Sequence, residues 1–142
     1  MGAIMPEALA AWDELSAEIP GLGLLSITSP DLLHRGWSAA QAKRWHPPQN
    51  GVGDRSKSGG GGPSHAETLL AKLAPGAGLV TIADAAPASL SWLGGVLGQR
   101  VAPLGVDRFG QTGDLADLYA AYRLDGAAIT EAAAELLAPF RF

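Results

Sequence analysis

The residues best suited to chemistry lie in the second half of the chain, where polar side chains directly follow two short apolar runs. These candidates for a cleft or an interface loop are Asp84, Asp107, Arg108, Phe109 and Gly110. In open α/β sheets, catalytic and ligand-binding side chains often lie at the carboxyl ends of the strands. Two carboxylates, a guanidinium and an aromatic ring at such a place would suit binding of a polar ligand or a partner subunit.

Each of these candidates also has a structural interpretation. Asp84 would orient the next turn by accepting hydrogen bonds from the N–H groups ahead of Pro87, and we favour that role over catalysis or ligand binding. Asp107 and Arg108 would pair with each other or bind backbone, while Phe109 would close the end of the sheet. The other interpretation is that this loop faces a cleft or a partner subunit, and the sequence leaves both open.

Other familiar chemistries are not indicated by residue type and spacing. The chain has no cysteine, which excludes disulfides, zinc–thiolate sites, iron–sulfur clusters and a thiol nucleophile. Its three histidines form no H-x-x-x-H pair, and Ser29, Ser64 and Ser91 lie outside any G-x-S-x-G elbow. The glycine-rich GVGDRSKSGGGG stretch lacks the spacing of a phosphate-binding loop. We therefore predict no catalytic, cofactor-binding or metal-binding residue in this chain.

A βαβ unit is predicted to position the candidate residues. Leu79–Ala83 is an apolar run with the length of a buried strand, and Val101–Val106 is a second. Between them, Pro87 suits the first turn of a helix and Gly98 suits its left-handed end. Two strands joined in this way should be parallel, with a right-handed crossover.

The remaining elements complete a predicted three-layer α/β/α fold with a mostly parallel sheet. A third strand is expected at Leu22–Thr28, and Ser64 with Glu67 forms the S-x-x-E pattern of a helix capping box. The chain is predicted to form a single domain, residues 1–142, containing a flexible Gly/Pro/Ser loop at residues 46–63. Further helices are expected at Pro6–Ala17, from Ser29 through Trp37, at Ser38–Trp45, from Ser64 to Leu73, at Asp114–Tyr122 and after Asp125.

Composition limits the partners. Ten basic and fourteen acidic residues give a net charge of −4 without a basic patch, so a nucleic-acid partner is not expected. No apolar run reaches the roughly 18 residues of a membrane span, and the first residues lack the pattern of a signal peptide. The sequence therefore predicts a soluble, cytoplasmic protein with no membrane partner.

Two stretches resemble one family, the transketolase C-terminal domain. Leu104–Gly113, LGVDRFGQTG, followed by Asp114-Leu115 and Leu118-Tyr119, resembles the closing motif of that domain. Leu25–Leu33, LSITSPDLL, resembles the V-T-S-P-D strand and turn of the homodimeric first component of the pyruvate dehydrogenase complex. The pattern covers nearly the whole chain apart from residues 46–63, and the pyruvate dehydrogenase branch fits better than transketolase. Shorter matches are Gly2-Ala3, Pro6–Leu9 and Arg44-Trp45.

The resemblance implies that this chain is one part of a larger enzyme, whose other domains or subunits bind the cofactor. Enzymes of the family use thiamine diphosphate and Mg²⁺, which their first two domains bind through a G-D-G…N-N motif. This sequence lacks that motif, because Gly53-Asp54 has neither the second glycine nor the distal asparagines. The implied partners are the upstream thiamine-binding domains or subunit, a second copy in a dimer and, for the pyruvate dehydrogenase type, a lipoyl acyltransferase.

The resemblance also implies that part of the family's β-sheet is absent from this chain. The family's domain has five strands, and Gly2-Ala3 matches the end of the second, so the resemblance implies that this chain lacks the first two strands. Loss of a central strand removes hydrogen bonds from both neighbours, so the chain alone should be weakly stable or should associate. A sharp, cooperative melt of a monomer would count against this. The alternative function is a free-standing α/β module that binds a small ligand at its strand ends, without enzymatic activity.

Overall fold

The structure, a computed structural model, describes residues 4–45, 62–108, 110 and 112–138. Within them the fold is mixed α/β, with a small parallel sheet and mostly short helices. The chain divides into two compact units, residues 1–28 with 76–142 and residues 29–75. The elements are α1 Met5–Ser16, α2 Pro30–Trp45, α3 His65–Leu70, β1 Leu79–Ile82, α4 Ala88–Ser91, α5 Gly94–Leu97, β2 Val101–Leu104, α6 Leu115–Ala121 and α7 Gly126–Leu137.

The predicted βαβ unit is confirmed as a parallel pair of strands. β1 and β2 align with Leu79 opposite Val101, and both α4 and α7 pack against them. The crossover is two short helices rather than the one that was predicted. Gly94 begins the second of them, where an added Cβ would lie 2.5 Å from a methyl carbon of Val101. The absence of a side chain therefore lets α5 approach β2 closely, and Gly98 ends it in the left-handed conformation as expected.

The largest fully buried side chain among the described residues is Leu124, in the larger unit, where it packs with Ile4 and Tyr119. Its position depends on how α6 ends. The Leu124 N–H donates to the Tyr119 carbonyl at 2.8 Å, and the Arg123 N–H donates to the Ala120 carbonyl at 3.2 Å. Arg123 takes the left-handed conformation between them, with φ 55°. This is a Schellman end, and it turns Leu124 back onto the helix that it follows.

The strand predicted at Leu22–Thr28 is wrong. The structure has neither helix nor strand there, and Leu24 and Leu25 are 44% and 50% exposed. A strand is defined by its partner, and the sheet of the described residues contains β1 and β2 alone. Leu22–Thr28 therefore has the apolar residues and the length of a strand, but no neighbouring strand pairs with it among the described residues.

Four finer predictions also need correction or stay open. The two short helices expected after Ser29 form one continuous helix, α2, because nothing at Trp37-Ser38 breaks the backbone pattern. The helix capped by Ser64 ends at Leu70 instead of Leu73, in a tight turn. The small sheet supports a mixed α/β class, which is coarser than the three layers that were expected. The flexible loop predicted at residues 46–63 lies almost entirely outside the described residues.

Residues 29–75 are stabilised by a buried carboxylate. Glu67 and Ser64 form the predicted capping box, in which the Ser64 N–H donates to Glu67 at 2.6 Å. Arg44, near the end of α2, donates to both Glu67 carboxylate oxygens at 2.6 Å. The Glu67 side chain is only 10% exposed. Bonds from Arg44, then from the Ser64 N–H and hydroxyl, lower the pKa of Glu67 from its ordinary 4.5 to about 2.

Replacing Glu67 with alanine should therefore destabilise the 29–75 unit by about 1–3 kcal/mol, because the cap and the charged pair are both lost. In the unmutated chain the contribution of this carboxylate should be complete above pH 4.5 and should decline as the pH falls towards 2, since its pKa is lowered on folding. Hydrogen exchange of the α3 amides measures both effects. Asp31→Ala is the control, because Asp31 forms only an exposed pair with Arg35, and an equal loss in both variants would contradict the prediction.

Candidate functional site

The two loops that carry the predicted candidate residues lie side by side at the carboxyl ends of β1 and β2. The Val106 N–H donates to the Ala85 carbonyl at 2.9 Å. Next to this bond, an added Cβ on Gly105 would lie 2.5 Å from the Ala85 oxygen and 2.8 Å from the Pro87 nitrogen. Backbone therefore packs directly on backbone, and the turn containing Asp84 is joined to the loop containing Asp107 and Arg108.

Asp107 and Arg108 form an ion pair, as one of the two interpretations predicted. Arg108 Nε lies 3.2 Å from Asp107 Oδ1, and the two side chains are 65% and 63% exposed. The Arg108 guanidinium also donates to the Ala121 carbonyl in the last turn of α6 at 3.5 Å, where a cation suits the helix dipole. The Tyr122 hydroxyl donates to the Arg108 carbonyl at 2.8 Å. These bonds tie the loop to α6, and the exposed pair itself adds little stability.

Asp84 is exposed at the start of the neighbouring turn. Its carboxylate makes no hydrogen bond to any described residue, so the bonds to N–H groups ahead of Pro87 that we favoured are not made. Gly110 has φ 101°, a backbone conformation that favours glycine, and Phe109 lies outside the described residues. Asp84 is therefore available for interactions with another molecule.

Sequence reasoning missed Tyr119 as part of this region. Tyr119 belongs to the core of the larger unit and is 7% exposed, yet its buried hydroxyl has no hydrogen-bond partner among the described residues. Burial raises the pKa of Tyr119, and the negative charges of Asp84 and Glu7 raise it further. Tyr119 was recognised only as one of the residues on the apolar face of its helix, and nothing in the local pattern pairs it with Asp84.

The arrangement suits binding better than catalysis. Its exposed groups are the Asp84 carboxylate and the Asp107–Arg108 ion pair, Tyr119 contributes a buried hydroxyl, and among the described residues of the site no nucleophile is paired with a base. Among the described residues, no three histidine or acidic side chains come together to hold a metal ion. A groove between α1 and α7 is lined by other residues, among them Glu14, Thr130 and Glu131.

Comparisons with protein-family models, with curated proteins and with solved structures found no match to this chain. None of the helices in the described ranges is long and apolar enough to cross a lipid bilayer.

Proposed function

We propose that this chain is the C-terminal, non-cofactor-binding part of a thiamine diphosphate-dependent 2-oxo acid dehydrogenase, of the pyruvate dehydrogenase type, or of a transketolase. Its role is to support assembly of the dimer and to shape the approach to the active site. The complete enzyme would decarboxylate a 2-oxo acid and transfer the acyl group to a lipoyl carrier. A three-layer fold in the assembled enzyme and a cytoplasmic location belong to the same proposal.

The observation that carries the proposal is the placement of the LGVDRFGQTGD stretch. Its first residue is the last of β2, and its last, Asp114, immediately precedes α6. The resemblance to the transketolase C-terminal domain rests on that same stretch, with the strand before it and the helix after it. Arg108 of the exposed Asp107–Arg108 pair is bonded to α6, which supports the use of these two side chains as part of a partner surface.

The residues of this chain do not fit thiamine diphosphate or its metal ion. The sequence has no G-D-G…N-N motif, and the described residues contain no cluster of three metal-ligating side chains. Mg²⁺ bound to a diphosphate usually takes one or two carboxylates from the protein, held in near-octahedral geometry. The proposal therefore assigns cofactor binding to the partner domains and gives this chain no chemical step.

Reconstitution tests the proposal. The chain would be mixed with a thiamine-binding subunit encoded in the same genome, and thiamine-dependent turnover of pyruvate and of other 2-oxo acids would be measured. We expect a stable complex and turnover that requires this chain. An Asp107→Ala, Arg108→Ala double variant should weaken the complex, whereas Asp31→Ala in the other unit serves as the control. Turnover that is unchanged when the chain is omitted would overturn the proposal.

One observation favours the second candidate, a free-standing module that binds a small ligand at its strand ends. The unpartnered Tyr119 hydroxyl lies close enough to Asp84 for the charge of that carboxylate to affect it. A buried polar group without a partner is costly, and a bound ligand with hydrogen-bond donors would relieve the cost. Saturable stabilisation of the isolated chain by small amines or polyols would support this function.

The substitution Tyr119→Phe separates the two candidates. If Tyr119 only fills the core, removing its unpaired hydroxyl should leave the melting temperature unchanged or raise it, because no hydrogen bond is lost. If it binds a ligand, the variant should also lose the ligand-dependent rise in melting temperature. Tyr122→Phe is the matched control, because it removes a hydroxyl that does make a bond, to the Arg108 carbonyl. That variant should lower the melting temperature and leave ligand stabilisation intact.

A further inference from the structure

The outer edge of β1 has no strand partner among the described residues. On the inner side, the Leu79 N–H donates to the carbonyl of Arg100, just before β2, at 2.9 Å, and the Ala83 N–H donates to the Leu104 carbonyl at 3.0 Å. Successive residues of a strand direct their backbone groups to opposite edges, so those of Val80 and Ile82 face away from β2. Neither residue makes a backbone hydrogen bond on that side within the described ranges. An edge of this kind is a template for another strand.

The sequence of β2 disfavours pairing of another strand with its outer edge. The Val106 N–H donates to the Ala85 carbonyl on the β1 side, so the even-numbered residues of β2 face β1. Val101 and Pro103 then face outward, and proline has no N–H to donate. Proline is found at sheet edges for this reason. The sheet can therefore extend past β1 but not readily past β2.

The same unit contains a segment suited to be an added strand. The segment Gly23–Thr28 makes no backbone hydrogen bonds to described residues, although it has the apolar and β-branched residues of a strand. Leu24 and Leu25 in this segment are exposed. Neither the segment nor β1 has a charged residue or a proline, the features by which proteins usually protect an open edge.

We propose that two copies of this chain pair reciprocally, with Gly23–Thr28 of each copy added as a third strand to the outer edge of β1 in the other. The chain supplies both halves of this contact, namely the outer edge of β1 and the segment Gly23–Thr28. Within one copy these two halves do not pair as strands. A reciprocal exchange forms the contact twice across a twofold axis and leaves neither half unpaired. This pairing is a property of the chain alone and holds whether or not the chain belongs to a thiamine enzyme.

Light scattering and sedimentation of the purified full chain over a range of concentrations test the proposal. We expect a concentration-dependent dimer in which the Val80 and Ile82 amides gain protection from hydrogen exchange. Val80→Pro should weaken the dimer by about tenfold to a hundredfold, since one backbone bond is lost in each of two equivalent contacts. Val101→Pro is the matched control, because its N–H faces the outer edge of β2, and it should leave the dimer intact.

If Val80→Pro fails to fold, variants of the segment Gly23–Thr28 still test the proposal. Leu25→Pro and Ser26→Pro, made separately, each remove an N–H that has no backbone partner among the described residues, so neither should disturb the single copy. One of the two must face the partner, and that one should weaken the dimer at least tenfold. A chain that stays monomeric at high concentration would overturn the proposal. So would a dimer that resists both segment variants, or one in which Val101→Pro acts as strongly as Val80→Pro.

Discussion

Replacing Leu124 with alanine should lower the free energy of unfolding of the larger unit by about 2 to 5 kcal/mol. Leu124 is 1% exposed and packs against Ile4 and Tyr119, with Ile82 and Leu104 at the border of the cluster. Removing its side chain creates a cavity where α6, the sheet and the start of α1 meet. That loss is a large part of the 5–15 kcal/mol by which a typical domain is stable, so the variant should be partly unfolded at 37 °C.

Urea denaturation followed by far-UV circular dichroism measures this effect, and hydrogen exchange of the β1 amides assigns it to the larger unit. Leu137→Ala is the matched control because it makes the same change where the residue is 62% exposed. It should change the unfolding free energy by less than about 0.5 kcal/mol. Equal losses in the two variants would show that Leu124 is not the centre of the core.

Features set by a few neighbouring residues were predictable from the sequence. The Ser64–Glu67 capping box and the Asp125 cap of α7 are both present, the latter with Asp125 accepting from the Ala128 N–H at 3.0 Å. Such caps need only one side chain and the N–H two or three residues further on. The end of α6 was not predictable in detail, because its left-handed position is occupied by Arg123 rather than by glycine.

Features that depend on distant partners were not predictable in the same way. The apolar pattern of Leu22–Thr28 is that of a strand, but a strand also needs a neighbour, and periodicity carries no information about one. β1 has the same kind of pattern and does have a neighbour, because the chain returns to it through α4 and α5. The two predictions rested on equal sequence signals, and only the one with a local partner was confirmed.

The candidate site likewise has one feature that the sequence predicts and one that it does not. The position of Asp84 and Asp107 after consecutive parallel strands followed from the βαβ pattern, and the structure places their loops in contact through Val106 and Ala85. The burial of the Tyr119 hydroxyl near Asp84 depends on how the chain returns after β2, so that Tyr119 of α6 packs in a cluster with Ile82 and Leu104. That return is a tertiary contact between residues more than thirty positions apart, so no local signal predicts it.

Replacing Gly105 with alanine should disrupt the junction between the two strand-end loops. A Cβ at this position would lie 2.5 Å from the Ala85 carbonyl oxygen and 2.8 Å from the Pro87 nitrogen, both of which are backbone atoms. No flexible side chain is available to move aside, so one of the two loops must shift. Overpacking of this kind usually costs about 1–3 kcal/mol, and the bond from the Val106 N–H to Ala85 should lengthen or break.

Gly113→Ala is the matched control, because the nearest atom to its added Cβ is 3.7 Å away, an ordinary contact distance. Urea denaturation should show a loss for Gly105→Ala and almost none for Gly113→Ala, and only Gly105→Ala should speed exchange of the Val106 amide. Assembly with a thiamine-binding subunit provides a second measurement, since a displaced Asp107–Arg108 loop should also weaken that complex. If Gly105→Ala is as stable as the unmutated chain, the loops are not in backbone contact, and the candidate site loses the geometry on which both proposed functions depend.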